Sequence, residues 1–329
     1  MEKPLVSVIV LNYNGKQHLK DCFNSLYHLN YNMDDVEFIL VDNKSQDGSV
    51  EFMRRNYKEV KIIQLKKNYG FASGNNIGVR KSTGKYIVLL NNDTCVDKNW
   101  LKELIIVAES SEKIGIVGSK IYRFNYKNII NVAGSYGDKC LITDCTGRKK
   151  IDSKYYSIQR DILFACGAAM LIKRELYSKI GLFDPSYFMY CEDLDLSIRS
   201  WLYGLKVVIA PKSKIYHKIE GKQTKLNSYF KNFLLERNRL RTILKNYELR
   251  NVLYLFPAYI IKKMGILVVS GFNLKKNVIY LFSIFRSIIW NLKNIQSLIK
   301  YRYFIQNIRR INDKSFFKII DNIRSQNSL

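Results

Sequence analysis

Acidic residues are in short supply: 28 Asp+Glu stand against 54 Lys+Arg in 329 residues, a formal net charge of +26. That excess implies an anionic partner, with nucleic acid, an anionic lipid surface and phosphorylated ligands as the candidates. Histidine is scarcer still, with three residues, and a lone imidazole is most often structural. The six cysteines (22, 95, 140, 145, 166 and 191) form no CxxC pair and no dense framework, and no signal peptide is read at the start. Together these predict a reducing cytoplasm. There is no GxGxxG and no GxxxxGK[ST], which weakens a dinucleotide or P-loop reading. RNP, KH and helix-turn-helix signatures are also missing, so nucleic-acid binding rests on charge and 23 Tyr alone and is not expected. Long apolar runs are lacking as well. The most apolar stretch, 252–272, carries Lys262 and Lys263 in its middle, leaving flanks of 10 and 9 residues. A bilayer needs roughly 20. No internal repeat or low-complexity linker interrupts the chain.

What is present divides in two. Residues 226–329 hold 19 Lys+Arg and 4 Asp+Glu, so 24 of the 28 acids lie in residues 1–225. We expect a domain over 1–225 and a basic, aromatic-rich helical region over 226–329. The first hundred residues alternate apolar strand candidates (5–11, 36–41, 60–65 and 86–90) with helix-like segments near 16–28, 49–56 and 72–82. That alternation predicts an α/β fold with a parallel sheet covered on both faces. Farther along, a helix is expected at about 98–110, a strand at 114–122, irregular chain over 124–160, an apolar run at 162–172, a helix at about 192–203 ending at Gly204, and a strand at 206–210.

In such sheets ligands bind outside the carboxyl ends of the strands. Those ends read Asn12-Tyr13-Asn14-Gly15, then Asp42-Asn43-Lys44-Ser45 and Asn91-Asn92-Asp93, with Asn68 to Gly78 following the third strand. Each alone is ordinary loop chemistry; four polar rims on one sheet edge point to a site. Asp42 suits either a turn or a base or ribose contact. The glycines and asparagines of 68–78 allow close backbone approach to a ligand. Asp93 is a hard oxygen ligand for magnesium or manganese, and Asn91 can add an amide oxygen or orient a water. Glu192-Asp193-Leu194-Asp195 places three carboxylates at a helix start, where the macrodipole favours them and where one can serve as general base. The preceding Tyr187-Phe188-Met189-Tyr190 offers an apolar wall for a sugar face or a lipid chain.

The ordered motifs VSVIVLNYNG, VDNKSQDGS, KNYGFASGNNIG, YIVLLNNDT, GLFDPSYFMYCEDLDLSIRSWLYG and IYHKIEGK, with YFKNFLLERNRLRTILKNY, resemble family 2 glycosyltransferases over about residues 4–245. The nearest branch looks like the rhamnosyltransferase-like enzymes of bacterial surface-polysaccharide assembly. The resemblance implies a GT-A fold, a Rossmann-like and mostly parallel sheet flanked by helices. It also implies inversion at the anomeric carbon by a metal-dependent hexosyl or deoxyhexosyl transferase. By position, Asn12, Tyr13 and Asp42 would bind the nucleoside, while Asn68, Gly70, Asn76 and Asn92 would line the donor site. Asp93, Asn91 and His217 would hold Mg2+ or Mn2+; many relatives carry Asp where Asn91 stands, which costs one negative ligand. Asp193 would be the catalytic base, with Glu192 and Asp195 supporting it or contacting acceptor. The donor would be a UDP-, dTDP- or GDP-linked sugar and the acceptor a glycan, lipid-linked, or alternatively a soluble or protein acceptor.

The tail's Arg237, Arg239 and Arg241, with Lys262-Lys263, Lys275-Lys276 and Arg309-Arg310, alternate with Phe, Tyr, Ile and Leu. Basic amphipathic helices of this kind lie on anionic membranes, here the inner face of the cell membrane. The alternative is a helical subdomain that covers the sheet or forms a homo-oligomer.

Overall fold

The computed structural model describes residues 6–218, 228–269 and 274–327. The first half alternates as expected: β1 (Val6–Asn12), α1 (Lys16–Tyr27), β2 (Val36–Asp42), α2 (Ser49–Asn56), β3 (Lys61–Gln64), α3 (Gly70–Lys81) and β4 (Tyr86–Asn91). β1, β2 and β4 are buried almost throughout, which is why they read as continuous apolar runs rather than alternating ones. Then come β5 (Thr94–Val96), α4 (Trp100–Glu109), β6 (Ile114–Arg123), β7 (Tyr126–Val132), β8 (Ser135–Gly137), β9 (Thr143–Cys145), β10 (Arg160–Asp161), β11 (Ala169–Lys173), α5 (Arg174–Ile180), α6 (Glu192–Leu202) and β12 (Lys206–His217). Five helices close the chain: α7 (Ser228–Asn246), α8 (Leu249–Val269), α9 (Leu274–Lys293), α10 (Ile295–Ile308) and α11 (Asp313–Ser325).

The main sheet runs β10-β12-β6-β11-β4-β1-β2-β3. Pairings are parallel from β4 through β1 and β2 to β3, and between β6 and β12, while β11 is antiparallel to both neighbours. The result is a mixed α/β sheet, mostly parallel, with helices around it.

Three expectations need correcting. The stretch 124–160 is not irregular throughout: it holds β7, whose first three residues are exposed, and β8 and β9, which at three residues each are too short to show a period. The strand expected at 206–210 continues to His217, because a register shift between Ala210 and Lys214 absorbs Pro211 and lets pairing with β6 resume. Two of the glycines of α3, Gly74 and Gly78, approach the sheet rather than a ligand. A Cβ on Gly74 would stand 2.5 Å from Leu11 Cδ1, and one on Gly78 2.6 Å from Ile9 Cγ2.

The C-terminal helices share the core with the sheet. Ile243, Tyr247, Val252, Leu255, Tyr259, Ile305 and Phe316 belong to one apolar cluster with Ile9, Ile39 and Ile87. Many tail cations are internal. Arg241 and Lys245 are fully buried, and Glu236 on α7 accepts from Arg239 (2.8 Å) and Lys263 (2.9 Å). Lys262 pairs with Asp138 at 2.7 Å. Arg237, Arg239, Arg241 and Lys263 therefore do not face a membrane as the sequence pattern implied: their partners are carboxylates, carbonyls and rings inside the fold. The side chains of Lys275 and Lys276 lie outside the described residues, as does the end of the IYHKIEGK motif from residue 219.

Candidate active site

Parallel pairing sets the ends of three strands side by side, with Asn12 opposite Asp42 and Leu11 opposite Asn91. A hydrogen-bond chain then crosses the rim. Asn92 Nδ2 donates to Asn12 Oδ1 (2.6 Å), and Asn12 Nδ2 donates to Asp42 Oδ1 (3.0 Å) and Ser45 Oγ (3.0 Å). Asp42 Oδ2 accepts from Ser45 N at 2.9 Å, so both carboxylate oxygens are engaged within the protein and the side chain is buried. Asn14 Oδ1 accepts from Gln46 N (2.8 Å) and Asp47 Oδ2 from Lys16 N (2.8 Å), tying the loops after β1 and β2 into one platform. Tyr13 stands on its outer edge, 52% exposed.

β5 pairs antiparallel with β12, setting His217 opposite Thr94. The end of β12 thereby meets the turn after β4: Lys218 N donates to Asp93 O (2.8 Å), and His217 Nε2 shares a hydrogen bond with Asp93 Oδ1 (3.0 Å). Burial pushes the Asp93 carboxyl up, but the hydrogen bond and charge of His217, then the charge of His18, outweigh it and hold the group below its ordinary value. His217 Nδ1 is buried without a partner. Asn91 ends β4 with its carbonyl accepting from Thr94 Oγ1 (2.7 Å). Among the described residues no group of three or more His, Cys, Asp or Glu is placed to hold a metal ion by itself. The protein thus offers one carboxylate and one imidazole, with an orphaned imidazole nitrogen. That set fits a magnesium- or manganese-type ion, which keeps several waters and takes phosphate oxygens from its substrate. Beside it lies a cavity of about 340 Å³ lined by His18, Arg123, Phe124, Tyr126, His217 and Lys218.

The carboxylates at the start of α6 separate by environment. Asp193 is half-buried, its Oδ2 accepting from Gly167 N (3.0 Å) and its Oδ1 from Leu194 N (2.8 Å). Burial raises its pKa, opposed by those two bonds. Glu192 is buried with Oε2 unpartnered, and burial followed by the charge of Asp193 pushes it well above the usual range. Asp195 differs from both. It is 0% exposed and accepts from Arg199 (3.0 Å), Lys245 (3.0 Å) and Asn246 Nδ2 (2.8 Å). Burial raises its pKa, but Lys245 and Arg199 overcome that and leave it lowered. Residues two apart on a helix do not share a face. Asp195 therefore faces α7 and cannot contact an acceptor; of the two roles expected for it, only support remains.

The segment entering α6 is strained. After a 3-10 turn at Pro185–Tyr187, Phe188 adopts φ 61°, ψ −65°, and Met189 N bonds Tyr187 O at 2.7 Å, a left-handed γ-turn. Tyr190 (φ 71°) and Cys191 (φ 63°) follow in the left-handed region. Such residues cost on the order of 1–3 kcal/mol each and persist only where their surroundings over-determine them. Tyr187 is buried beneath Lys245, whose Nζ sits 4.6 Å from the ring centroid, so it is no exposed wall for substrate. Asn68 Oδ1 accepts from Gly70 N (2.8 Å), and Gly70 (φ +79°) lies so close to the Phe188 carbonyl that a Cβ would collide with it. Both amide atoms of Asn76 are taken by the Phe183 main chain, at 2.8 and 3.1 Å.

Sequence reasoning missed the cations that reach this region from α7. Asp184 accepts from Arg241 (2.9 Å) and Lys245 (3.0 Å), and Lys245 bridges onward to Asp195. The four-residue spacing of Arg237, Arg241 and Lys245 was a visible sign of one shared helix face.

Comparison with known proteins agrees with this arrangement: the description "Glycosyl transferase family 2" matches residues 7–181. The chain belongs to that family. This glycosyltransferase is 22% identical over 238 residues to the low-salt glycan biosynthesis hexosyltransferase Agl10 of Haloferax volcanii, covering 71% of this chain and 74% of that one. Its fold is similar to S. aureus TarS 1-349 in complex with UDP-GlcNAc, with TM-score 0.62 and 16% identity over 98% of this chain and 90% of that one. It also resembles GalNAc-T7 with UDP, GalNAc and Mn2+, with TM-score 0.61 and 19% identity, covering 75% of this chain and 49% of that one. The GT-A architecture expected from the motifs is thus the observed one.

Proposed function

We propose that this glycosyltransferase moves a hexose or deoxyhexose, of the rhamnose type, from a nucleoside-diphosphate donor to a hydroxyl of a lipid-linked glycan, inverting the anomeric carbon, in cell-surface polysaccharide synthesis. One observation carries the reading. Gly167 N bonds Asp193 Oδ2, and the next carbonyl, Ala168 O, accepts from Asn91 N at 2.9 Å. A two-residue bridge thus ties the base candidate to the turn bearing Asp93.

The division of labour follows from the environments. Tyr13 offers a ring at the rim against which a nucleobase can stack, while Asp42 acts from behind by fixing Asn12 and Ser45. Asp93 and His217, with Asn91 as a weak or water-mediated partner, are the residues to hold Mg2+ or Mn2+. A bound divalent cation neutralises the charge developing on the diphosphate as the glycosidic bond breaks. The neighbouring His18, Arg123 and Lys218 suit an anionic group. Asp193 takes the proton of the acceptor hydroxyl as that oxygen bonds to the anomeric carbon and the nucleoside diphosphate leaves with the electron pair. Burial, then the charge of Asp193, pushes the Glu192 pKa up, which favours placing the pair's negative charge on Asp193. A raised pKa makes Asp193 a stronger base than an exposed carboxylate.

A membrane surface as meeting place is supported by features other than the buried arginines. Residues 249–312 contain no acid, and Arg250, Lys262, Arg286, Lys293, Lys300 and Arg310 among them are exposed. Leu249, Leu253, Ile261 and Met264 form an exposed stripe on α8, and Val278, Leu281, Phe285 and Leu292 another on α9. No helix among the described residues is long and apolar enough to cross a bilayer, so these stripes suit interfacial contact.

Release of nucleoside diphosphate, screened across UDP-, dTDP- and GDP-sugars with Mn2+ or Mg2+, tests the donor class. Turnover of none of them, or turnover undiminished in Asp193→Asn, would sink the reading. Flotation on phosphatidylglycerol vesicles tests the surface. A full-length chain that stays at the bottom of the gradient favours the soluble acceptor.

A further inference from the structure

The strained turn before Asp193 is held from two sides by side chains and main chain remote in sequence. On one side, the Phe188 carbonyl accepts from Phe71 N (2.6 Å) and Ala72 N (3.2 Å) at the start of α3. On the other, α7 inserts Arg237 and Asn238, both buried. Arg237 Nη2 donates to Ser186 O (2.9 Å) and Tyr187 O (2.7 Å). The two hydrogens of Asn238 Nδ2 are shared among Tyr187 O (3.0 Å), Met189 O (2.9 Å) and Tyr190 O (2.7 Å). Asn238 Oδ1 in turn accepts from Arg237 Nε at 2.8 Å, so the pair braces itself, and the guanidinium stacks 4.4 Å from the Trp290 ring centroid. Four carbonyls of five consecutive residues thus converge on two side chains, while the fifth points the opposite way into α3.

Such convergence of carbonyls is unfavourable unless donors meet it, because their dipoles repel and buried acceptors without partners are costly. An unclamped turn would relax its left-handed residues toward ordinary backbone angles, rotating the first residues of α6 and drawing Asp193 Oδ2 away from Gly167 N. We infer that Arg237 and Asn238 are positioning residues for transfer: they hold the γ-turn that aims Asp193, so the C-terminal helices are part of the catalytic machinery. The inference rests on Asp193 as the base. Chemistry selects the residue types. Position 238 must donate to several carbonyls and accept from Arg237 at once, which an amide does and a carboxylate does not. Position 237 needs a planar fork, which Lys lacks.

The test uses the full-length chain with whichever sugar nucleotide it turns over. In Asn238→Ala, kcat should fall about 100-fold, the scale of a misplacement near 1 Å, while donor affinity by calorimetry with Mn2+ stays within about 3-fold. Arg237→Lys, a milder change should the first variant fold poorly, should lose about 10-fold in kcat with the same split. The acid limb of the pH–rate profile should move in both variants, since Asp193 loses a stabilising donor. Asp193→Asn runs alongside. If it retains turnover, the base assignment fails. If it is inactive while both clamp variants keep wild-type kcat and pH profile at a temperature where they are folded, the clamp is merely structural and the inference is overturned. Parallel loss of donor affinity and kcat would overturn it equally.

Discussion

Replacing Asp195 by Asn separates stability from chemistry at the start of α6. The amide is isosteric, but among the described residues it leaves Arg199 without a paired carboxylate and Lys245 sharing Asp184 with Arg241. Arg199 keeps the carbonyls of Ile180, Gly181 (2.9 Å) and Leu182 (3.0 Å) and Lys245 keeps Asp184 (3.0 Å), so what is lost is the pairing of both cations with Asp195. Breaking a buried ion pair by removing one partner costs about 3–5 kcal/mol. For 329 residues, at about 2.1 cal/mol/K each, the unfolding entropy is ~0.7 kcal/mol/K. Melting should therefore fall by about 4–7 °C. Donor affinity should not change, because Asp195 is 0% exposed and faces α7. Calorimetric melting alongside titration of the nucleotide donor measures both. An unchanged melting temperature, or loss of donor binding in a variant still folded, would refute the assignment of Asp195 as a purely structural carboxylate.

Asp93→Ala should abolish metal-dependent donor binding, and His217→Ala should weaken it at least 10-fold; calorimetry with and without Mn2+ distinguishes these from general misfolding. Gly70→Ala should destabilise by about 1–3 kcal/mol, since it combines a left-handed φ with contact against the Phe188 carbonyl; a thermal melt equal to wild type would count against that contact. Acid unfolding should reflect Asp184 and Asp195, whose folded values lie below the ordinary 3.8. Their stabilisation is complete above that value and is lost as pH falls through the lowered values. Glu192 works in the opposite direction. Its folded pKa is raised above 4.5, so stability rises as pH falls through the raised value, and Glu192→Gln should flatten that rise in melts across the acid range.

The sequence was most legible where one physical cause dominates. Double-sided burial made β1, β2 and β4 visible as apolar runs, and their polar ends marked the rim of the sheet. Asp93 and His217, 124 residues apart, could be paired only through the family resemblance, because the strand that unites them continues past Pro211 by a register shift that no local pattern announces. The roles of Gly74, Gly78 and Asn76 were misjudged for a common reason: small and amide residues serve close packing and ligand approach equally well, and here the sheet and the Phe183 main chain claimed them. The tail misled through charge. Periodic cations with aromatics describe a membrane-facing helix and an internal ion-pair network alike, and only tertiary contacts such as Glu236 with Arg239 and Lys263 decide between them.

The brace on the γ-turn has a consequence in time. Asn238 lies 51 residues after Tyr187, the carbonyl it holds. At about 5–20 residues per second, synthesis leaves the turn without its partner for roughly 3–10 s. During that interval the ends of β1, β2 and β4 have been made, while the side chains of α7 that brace the turn have not. The aim of Asp193 would thus be set late, with the docking of α7.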